Sequence, residues 1–213
     1  MIAVVDYGRG NLFSIGQALS QFGADFEITH DPERIRASKR IILPGVGAFG
    51  AAIDDLRERN LSEPIQEIAR QGKPLLGICL GMQLLCSVGE EFGEHRGLDL
   101  IPGRVVRLPE SKEETRDSVR IPNVGWRSLR FTSTDPMFDD LADGTMVYFT
   151  HSYCFQADDT STVSAEISIN GAEIPGVVRQ NNIIGYQFHP EKSGPTGLGF
   201  IRRFLESPLD HES

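Results

Sequence analysis

Continuous apolar runs alternate in the first part of the chain with segments whose apolar residues recur every three or four positions. The runs at residues 2–5, 41–43 and 75–78 are apolar throughout, as in strands that are buried on both faces of a sheet. Residues 12–22 and 62–71 each have one apolar face, as amphipathic helices do. This alternation predicts an α/β fold in which helices cover a mostly parallel central sheet.

The second half of the chain has a different pattern, in which short strand-like segments follow one another with little helix between them. These segments lie at 100–108, 146–155, 162–168, 176–180 and 183–188. An amphipathic segment at 198–205 follows the last of them. Such strands predict antiparallel additions to the sheet. No internal repeat, linker or low-complexity segment divides the chain, so residues 1–213 are expected to form one domain.

Composition and charge exclude several classes of protein. The chain has 213 residues, of which 39% are hydrophobic and 24% charged, as in ordinary globular proteins. Its net charge of −9 argues against nucleic acid or an anionic membrane as the main partner. The apolar runs are too short to span a bilayer, and the start lacks the basic and apolar regions of a signal peptide. A cytoplasmic protein is therefore expected.

The cysteines indicate neither a disulfide framework nor a metal site. Cys79, Cys86 and Cys154 are odd in number and lack the spacing of zinc ligands. The acidic stretch at 90–95, which includes a histidine, is interpreted as a solvated loop. No metal and no cofactor are expected.

Cys79 lies at the junction between the apolar run 75–78 and apolar positions that continue to residue 86 as a predicted helix. Gly77 and Gly81 flank it in the Gly-x-nucleophile-x-Gly spacing of a nucleophile elbow, with cysteine in place of serine. Glycines suit a sharp strand-to-helix turn because neighbouring backbone comes very close. The positive end of the helix would favour a thiolate. The pattern predicts a catalytic cysteine; the alternative is a buried structural thiol.

A cysteine nucleophile needs a base, and His189 is the leading candidate. It directly follows the strand predicted at 183–188, so it emerges at the carboxyl end of that strand, where the elbow also lies. Glu191 stands two residues later and projects to the same side in extended backbone, where it could orient the imidazole. His151 is a competing base, but it has no carboxylate within several residues.

Acyl transfer also needs donors for an oxyanion. The backbone N–H of Leu80, directly after the nucleophile, is the usual first donor. A second donor could come from the Pro-Gly-Val-Gly turn at 44–47, whose glycines let the peptide planes face a ligand. The alternative for this turn is an ordinary connection between a strand and a helix.

Three motifs together resemble those of the class I glutamine amidotransferases, and they occur in family order. They are Gly-Ile-Cys-Leu-Gly-Met-Gln at 77–83, the turn at 44–47, and Gln-Phe-His-Pro-Glu-Lys-Ser at 187–193. The resemblance covers nearly the whole chain and implies a flavodoxin-like fold. It implies that Cys79 attacks the side-chain amide of L-glutamine. His189 then protonates the leaving ammonia and activates water, and Glu191 orients the histidine.

The resemblance also implies roles for residues around the nucleophile. Val46 and Gly47 would shape the oxyanion hole together with Leu80. Gln83 and the backbone of Ser152 and Tyr153 would hold the amino-acid end of glutamine.

Within the family, the resemblance is strongest to separate glutaminase subunits of histidine biosynthesis. These form heterodimers with a (β/α)8 cyclase, which uses the ammonia to make imidazole glycerol phosphate and an aminoimidazole carboxamide ribotide. Four positions match the expected interface with that cyclase: Asn11, Asn123, Trp126 and Lys192.

The segment 123–127 leaves the choice of partner open. It reads Asn-Val-Gly-Trp-Arg where the family usually has His-Met-Gly-Trp-Asn. The alternative is a related glutaminase subunit that supplies ammonia to a sugar amidotransferase in surface-polysaccharide synthesis. A catalytically silent binding subunit and an independent thiol hydrolase are further alternatives. The presence of Cys79, His189 and Glu191 disfavours the first, and the order nucleophile, histidine, acid is unusual for the second.

Overall fold

A computed structural model describes residues 1–111, 118–133, 135–138 and 140–207, and its strands belong to two sheets. The helices are α1 (Leu12–Gln21), α2 (Pro32–Ala37), α3 (Phe49–Glu58), α4 (Ser62–Arg70), α5 (Leu80–Gln83) and α6 (Gly194–Glu206). The strands are β1 (Ile2–Val5), β2 (Phe26–Thr29), β3 (Arg40–Gly45), β4 (Leu75–Cys79), β5 (Val88–Gly89), β6 (His95–Arg96), β7 (Gly103–Arg107), β8 (Asn123–Phe131), β9 (Thr145–His151), β10 (Tyr153–Ala157), β11 (Val163–Ile169), β12 (Ala172–Gln180) and β13 (Ile183–Tyr186). Single 3₁₀ turns occur at Pro136–Phe138, Thr160–Thr162 and Pro190–Lys192.

The larger sheet has the strand order β2-β1-β3-β4-β13-β12-β11-β8-β9. From β2 to β13 the neighbouring strands are parallel, and from β13 onward they are antiparallel. The predicted α/β class is confirmed, as are the antiparallel additions. The order of the five parallel strands is that of flavodoxin-like folds.

Parallel pairing brings the ends of the central strands together at one edge of the sheet. In the register of β3 with β4, Gly45 is opposite Cys79, and in that of β13 with β4, Tyr186 is opposite Ile78. The segments that leave β3, β4 and β13 therefore start side by side. This edge is where ligands bind in open α/β sheets.

An aromatic cluster fixes the segment that leaves β13. Tyr186 stacks on Phe188 with ring centroids 5.1 Å apart, and Phe188 meets Phe200 of α6 edge to face at 4.9 Å. All three side chains are fully buried. Because aromatic side chains bury large apolar areas, this packing anchors the backbone directly before His189.

The strand predicted at 146–155 is two strands. β9 ends at His151, β10 begins at Tyr153, and Ser152 separates them. β9 pairs with β8 in the larger sheet, whereas β10 pairs with β7 in a second sheet of order β10-β7-β5-β6. The chain changes sheets at Ser152, and the local sequence shows no break because both halves have strand-like residues.

Two further segments differ from their predicted structure. The helix after Cys79, predicted to reach residue 86, ends at Gln83 after a single turn. The acidic stretch at 90–95, predicted to be a solvated loop, is exposed at 90 and 92–94, but Glu91 and His95 are partly buried, and the stretch joins the paired short strands β5 and β6. The His95 ring packs so closely on Gly50 of α3 that a Cβ there would lie 2.5 Å from His95 Cε1. No helix in the described ranges is both long and apolar enough to cross a membrane.

The two glycines of the elbow allow very close backbone contacts, one with β3 and one within the elbow itself. A Cβ on Gly81 would lie 1.8 Å from the carbonyl oxygen of Leu43. A Cβ on Gly77 would lie 2.7 Å from the carbonyl oxygen of Gly81. Side chains therefore cannot replace these glycines without movement of the backbone, which is the steric reason predicted for them.

Gly81→Ala is expected to lower the free energy of unfolding by about 3 kcal/mol or more, because the new methyl group must displace the β3 backbone. Urea denaturation measures the change. Gly199→Ala is the matched control, since its Cβ would meet only the end of the Arg203 side chain, at 3.0 Å, in the middle of α6. The control is expected to be neutral or slightly stabilising. Equal stability of the two variants would contradict the steric argument.

Candidate active site

A cavity of about 190 Å³ lies at the edge of the sheet where β3 and β4 end. Six of the residues predicted to form the site line it: Gly47, Cys79, Leu80, Gln83, Ser152 and Tyr153. A larger cavity of about 880 Å³ runs along α1, and Cys79 does not line it. The smaller cavity is therefore the candidate active site.

Cys79 occupies the sharp turn between β4 and α5. Its backbone has φ 55° and ψ −112°, a positive φ that is uncommon outside glycine. The residue is only 6% exposed, and its Sγ lies 3.8 Å from the carbonyl oxygen of Thr150 and 3.9 Å from Gln187 Nε2. The predicted elbow is confirmed. A helix of one turn has little macrodipole, so the predicted help from the helix to a thiolate is not supported.

His189 and Glu191 form a buried pair at the end of the segment that follows β13. The distance from His189 Nδ1 to Glu191 Oε1 is 3.0 Å, and their side chains are 4% and 1% exposed. The 3₁₀ turn Pro190–Lys192 begins directly after His189 and turns the carboxylate back toward the ring. Asn11 Nδ2 also donates to Glu191 Oε1, at the long distance of 3.5 Å.

The surroundings of His189 favour the protonated form of its imidazole. Burial by itself disfavours the charge, but hydrogen bonds to Cys79 and Glu191 outweigh it and raise the pKa of His189 to about 10. His189 therefore carries a proton at neutral pH. A cationic imidazole beside a cysteine sulfur favours a thiolate nucleophile and can later donate its proton to a leaving group. Cys79, His189 and Glu191 thus lie together as predicted.

His151, the competing base, has hydrogen-bond partners at both of its ring nitrogens. Its Nδ1 lies 2.9 Å from the carbonyl oxygen of Tyr153, and its Nε2 lies 2.9 Å from Asn123 Nδ2. Burial lowers the pKa of His151 to about 4, and the nearby cations His189 and Arg127 act in the same direction. Both ring nitrogens are therefore occupied, and the ring is neutral at pH 7.

The other two thiols are poor nucleophiles. All three cysteines are unpaired and buried. Burial raises the pKa of Cys86 to about 12, and burial likewise raises the pKa of Cys154 to about 12. Only the Cys79 sulfur lies next to a histidine and a cavity.

Backbone donors for an oxyanion are available on two sides of Cys79. Leu80 follows the nucleophile and lines the cavity, as does Gly47 from the turn after β3. Gly47 has φ +106°, a conformation that side chains disfavour, and the side chain of its neighbour Val46 is 42% exposed. The turn can therefore place peptide groups at the cavity while its side chain points away from the core.

Glu91 is a cavity residue that the sequence reasoning missed. It lines the cavity near Cys79, and its Oε2 accepts a hydrogen bond of 2.8 Å from the backbone N–H of Phe49 at the start of α3. It therefore supports the turn that carries Gly47 and adds a carboxylate to the cavity. Its only sequence signal was an acidic stretch, which is usually a solvated surface.

Three of the four residues expected at a partner interface are at least partly exposed. Trp126 is 48% exposed, Lys192 is exposed, and Asn11 is half-buried beside Glu191. Asn123 is different, because it is fully buried and bonded to His151. Asn123 lies behind this surface rather than on it. Side chains alternate between the two faces of a strand, so Asn123, three residues before Trp126 in β8, points to the opposite, inner face.

Within the part of the chain that the structure describes, no three His, Cys, Asp or Glu side chains are placed to hold a metal ion. A cysteine, a protonated histidine with a carboxylate partner, and nearby peptide N–H groups suit acyl transfer through a thioester. Fold and site together are those of an α/β protein with a cysteine, a histidine and a glutamate side by side at the edge of its sheet.

Comparison with known proteins gives the family. The model of the family described as "Glutamine amidotransferase class-I" matches residues 3–207. A Salinibacter ruber protein named "Imidazole glycerol phosphate synthase subunit HisH" is 42% identical over 213 residues, which cover 100% of this chain and 97% of that protein. A Sulfurimonas denitrificans protein of the same name is 45% identical over 206 residues, covering 97% of this chain and 98% of the relative. The chain belongs to the class-I glutamine amidotransferases.

Solved structures agree on the fold. One described as "Crystal structure of glutamine amidotransferase" has a TM-score of 0.71 at 19% identity and covers 97% of this chain and 98% of its own. "Structure of PurLQS from Thermotoga maritima" has a TM-score of 0.69 at 20% identity, with 96% of each chain covered. The chain is thus a glutamine amidotransferase by family and has the α/β fold of its structural neighbours.

The stability of the chain is expected to depend on pH through His151. Its pKa falls from 6.5 to about 4 on folding, so between these values only the unfolded chain takes up the proton. Stability from this residue is therefore intact above pH 6.5 and is lost as the pH falls toward 4. Between pH 6.5 and about 5, the loss is about 2 kcal/mol.

Urea denaturation of the unsubstituted chain and of His151→Gln at both pH values measures this effect. The variant lacks the titrating ring, so its unfolding free energy should fall by about 2 kcal/mol less over the same interval. His30→Gln, at an exposed histidine, is the control and should follow the unsubstituted chain. Identical pH dependence in all three proteins would contradict a neutral buried His151.

Proposed function

We propose that this chain is the glutaminase subunit of an imidazole glycerol phosphate synthase. It hydrolyses L-glutamine to glutamate and ammonia and passes the ammonia to a (β/α)8 cyclase subunit in histidine biosynthesis. The observation that carries the proposal is the assembly of Cys79, which lines the cavity, with His189 and its partner Glu191, in a chain whose full-length relatives are named "Imidazole glycerol phosphate synthase subunit HisH". The three unpaired thiols suit a reducing cytoplasm as the place of action.

The site supports a two-stage reaction. The Cys79 thiolate attacks the side-chain carboxamide carbon, and the oxyanion that forms accepts hydrogen bonds from peptide N–H groups of Leu80 and of the turn at Val46 and Gly47. His189 gives its proton to the departing nitrogen, which leaves as ammonia, and a thioester remains on Cys79. His189 then takes a proton from water, which attacks the thioester and releases glutamate and the thiolate.

Glu191 has a supporting role in both stages. It accepts from His189 Nδ1–H, so the other ring nitrogen is the one left to exchange protons with the sulfur, the leaving nitrogen and water. The negative charge of its buried carboxylate also stabilises the imidazolium.

The amino-acid end of glutamine fits the opposite end of the cavity. Gln83 donates through Nε2 to the carbonyl oxygen of Tyr153 at 2.9 Å and to Gln187 Oε1 at 3.0 Å. Ser152 and Tyr153 line the cavity at the change between the two sheets, so their backbone lies beside a bound glutamine. Glu91 adds a carboxylate that suits an α-ammonium group.

The partner surface that we propose is the outer face of β8 and β9, composed of Val124, Trp126, Met146, Tyr148 and Thr150. The register of the two strands places Trp126 beside Tyr148, and the first three side chains are about half exposed. Exposed apolar side chains grouped on one face mark a protein interaction site.

This face adjoins the catalytic residues. The carbonyl oxygen of Tyr148 accepts from the backbone N–H of His189 at 2.9 Å, and that of Thr150 lies 3.8 Å from Cys79 Sγ. A cyclase seated here would therefore lie next to the atom from which ammonia leaves. This short route supports the transfer of ammonia between two subunits rather than its release to water.

Cys79→Ser is expected to lower glutamine-dependent formation of imidazole glycerol phosphate at least about a thousandfold, because the hydroxyl is a much weaker nucleophile in this setting. The complex of the variant with the cyclase should still use added ammonia. Product assays with glutamine or with an ammonium salt distinguish the two activities. Cys86→Ser and Cys154→Ser are the controls and should retain glutamine-dependent activity. Loss of both activities in Cys79→Ser would contradict the proposed division between subunits.

Trp126→Ala is expected to weaken binding to the cyclase about 30-fold, because a large aromatic side chain on the proposed surface would lose its contact area. Titration calorimetry of the two subunits measures the affinity. Ile28→Ala is the control, since Ile28 is 41% exposed but lies on the opposite edge strand β2. An unchanged affinity for Trp126→Ala would rule out this face, and a chain that binds no cyclase would contradict the proposed partner.

A further inference from the structure

We propose that Arg127 is a positioning residue for the glutamine site and acts through Asn123 and His151. The inference rests on the proposed glutaminase function, because its effect is on the binding of the amino-acid end of glutamine. Arg127 does not line the cavity, and its hydrogen bond goes to Asn123, so it is not a catalytic residue.

A continuous series of hydrogen bonds connects Arg127 with the site. Arg127 Nε donates to Asn123 Oδ1 at 2.9 Å, and Asn123 Nδ2 lies 2.9 Å from His151 Nε2. His151 Nδ1 lies 2.9 Å from the carbonyl oxygen of Tyr153. Asn123 is 0% exposed and His151 is 6% exposed, so water does not compete for these bonds.

The chemistry of these groups leaves one arrangement of protons. A carbonyl oxygen only accepts, so the proton of the neutral His151 ring must be on Nδ1. His151 Nε2 is then an acceptor and needs a donor, which is the amide N–H of Asn123.

Arg127 fixes the direction of that amide. A guanidinium only donates, so the Asn123 atom that faces it must be the oxygen. Without Arg127 the amide could turn over and present its oxygen to His151 Nε2. The histidine would then need a proton on Nε2, and a neutral ring would lose its bond to the Tyr153 carbonyl oxygen.

The series reaches the cavity at His151, which lines it, and continues to the Tyr153 carbonyl oxygen. This oxygen accepts from His151 and also from Gln83 Nε2, at 2.9 Å in both cases. Gln83 and Tyr153 both line the cavity. Loss of the hydrogen bond from His151 to this carbonyl oxygen would therefore disturb the groups proposed to bind the amino-acid end of glutamine. The reactivity of the Cys79 sulfur would be largely unchanged.

The test is the rate at which the diazoketone analogue of L-glutamine alkylates Cys79 in the full chain, alone and with the cyclase. The analogue carries the amino-acid end of glutamine, so KI measures recognition of that end and kinact measures the reaction with the thiol. Arg127→Met is expected to raise KI roughly three- to tenfold with kinact within about twofold. Alkylation by iodoacetamide, which lacks an amino-acid end, should be unchanged.

Matched variants separate positioning from a general structural effect. Arg127→Lys keeps an N–H donor on a long side chain and should restore most of the affinity for the analogue. Arg130→Met removes an arginine from the same strand, one that pairs instead with Glu166 and Glu173, and should leave KI unchanged.

A double-variant cycle tests the route through Asn123. In an Asn123→Ala background, Arg127→Met should have little further effect on KI, because its partner is already absent. Independent, multiplying effects of the two substitutions would overturn the inference, as would an unchanged KI in Arg127→Met. If the unsubstituted chain is not labelled at Cys79 either alone or with the cyclase, the proposed function fails, and the inference fails with it.

Discussion

The structure depends on the close approach of two backbone segments, the elbow after β4 and the end of β3. Gly81 is so near the Leu43 carbonyl oxygen that a Cβ would lie 1.8 Å from it. This contact holds Cys79 in a backbone conformation with positive φ, raised at the edge of the sheet. The same contact fixes the turn after β3 beside the nucleophile, so one steric constraint sets both the sulfur and the peptide groups that face it.

The two buried histidines near Cys79 differ in their protonation state. His189 is charged because its hydrogen bonds to Cys79 and Glu191 outweigh the cost of burial, whereas His151 is neutral because burial and two nearby cations act together. Two histidines in one small region thus have pKa values on opposite sides of neutrality, set by their different surroundings. His189 can give and take a proton during the reaction, and His151 can serve only as a fixed hydrogen-bonding group.

The parts of the site that could be predicted from the sequence depend on local geometry. Gly77, Cys79 and Gly81 form a turn within five residues, and Glu191 meets His189 two residues away. The missed parts depend on pairing between distant segments. The break at Ser152 exists because its two flanking strands pair in different sheets, and Glu91 reaches the cavity because its hairpin packs on α3. Nothing within a few residues of either position specifies those partners.

The segment 123–127 shows how one strand can serve two surfaces. Successive residues of a strand point to opposite faces, so Val124 and Trp126 face outward while Asn123 and Arg127 lie on the other face, where Asn123 bonds to His151. Asn123 and Arg127 are hydrogen-bonded to each other. A substitution at either position would alter the support behind the site without altering Trp126. Because both faces belong to the same five residues, movement of the strand on partner binding would reach the Tyr153 carbonyl oxygen through His151.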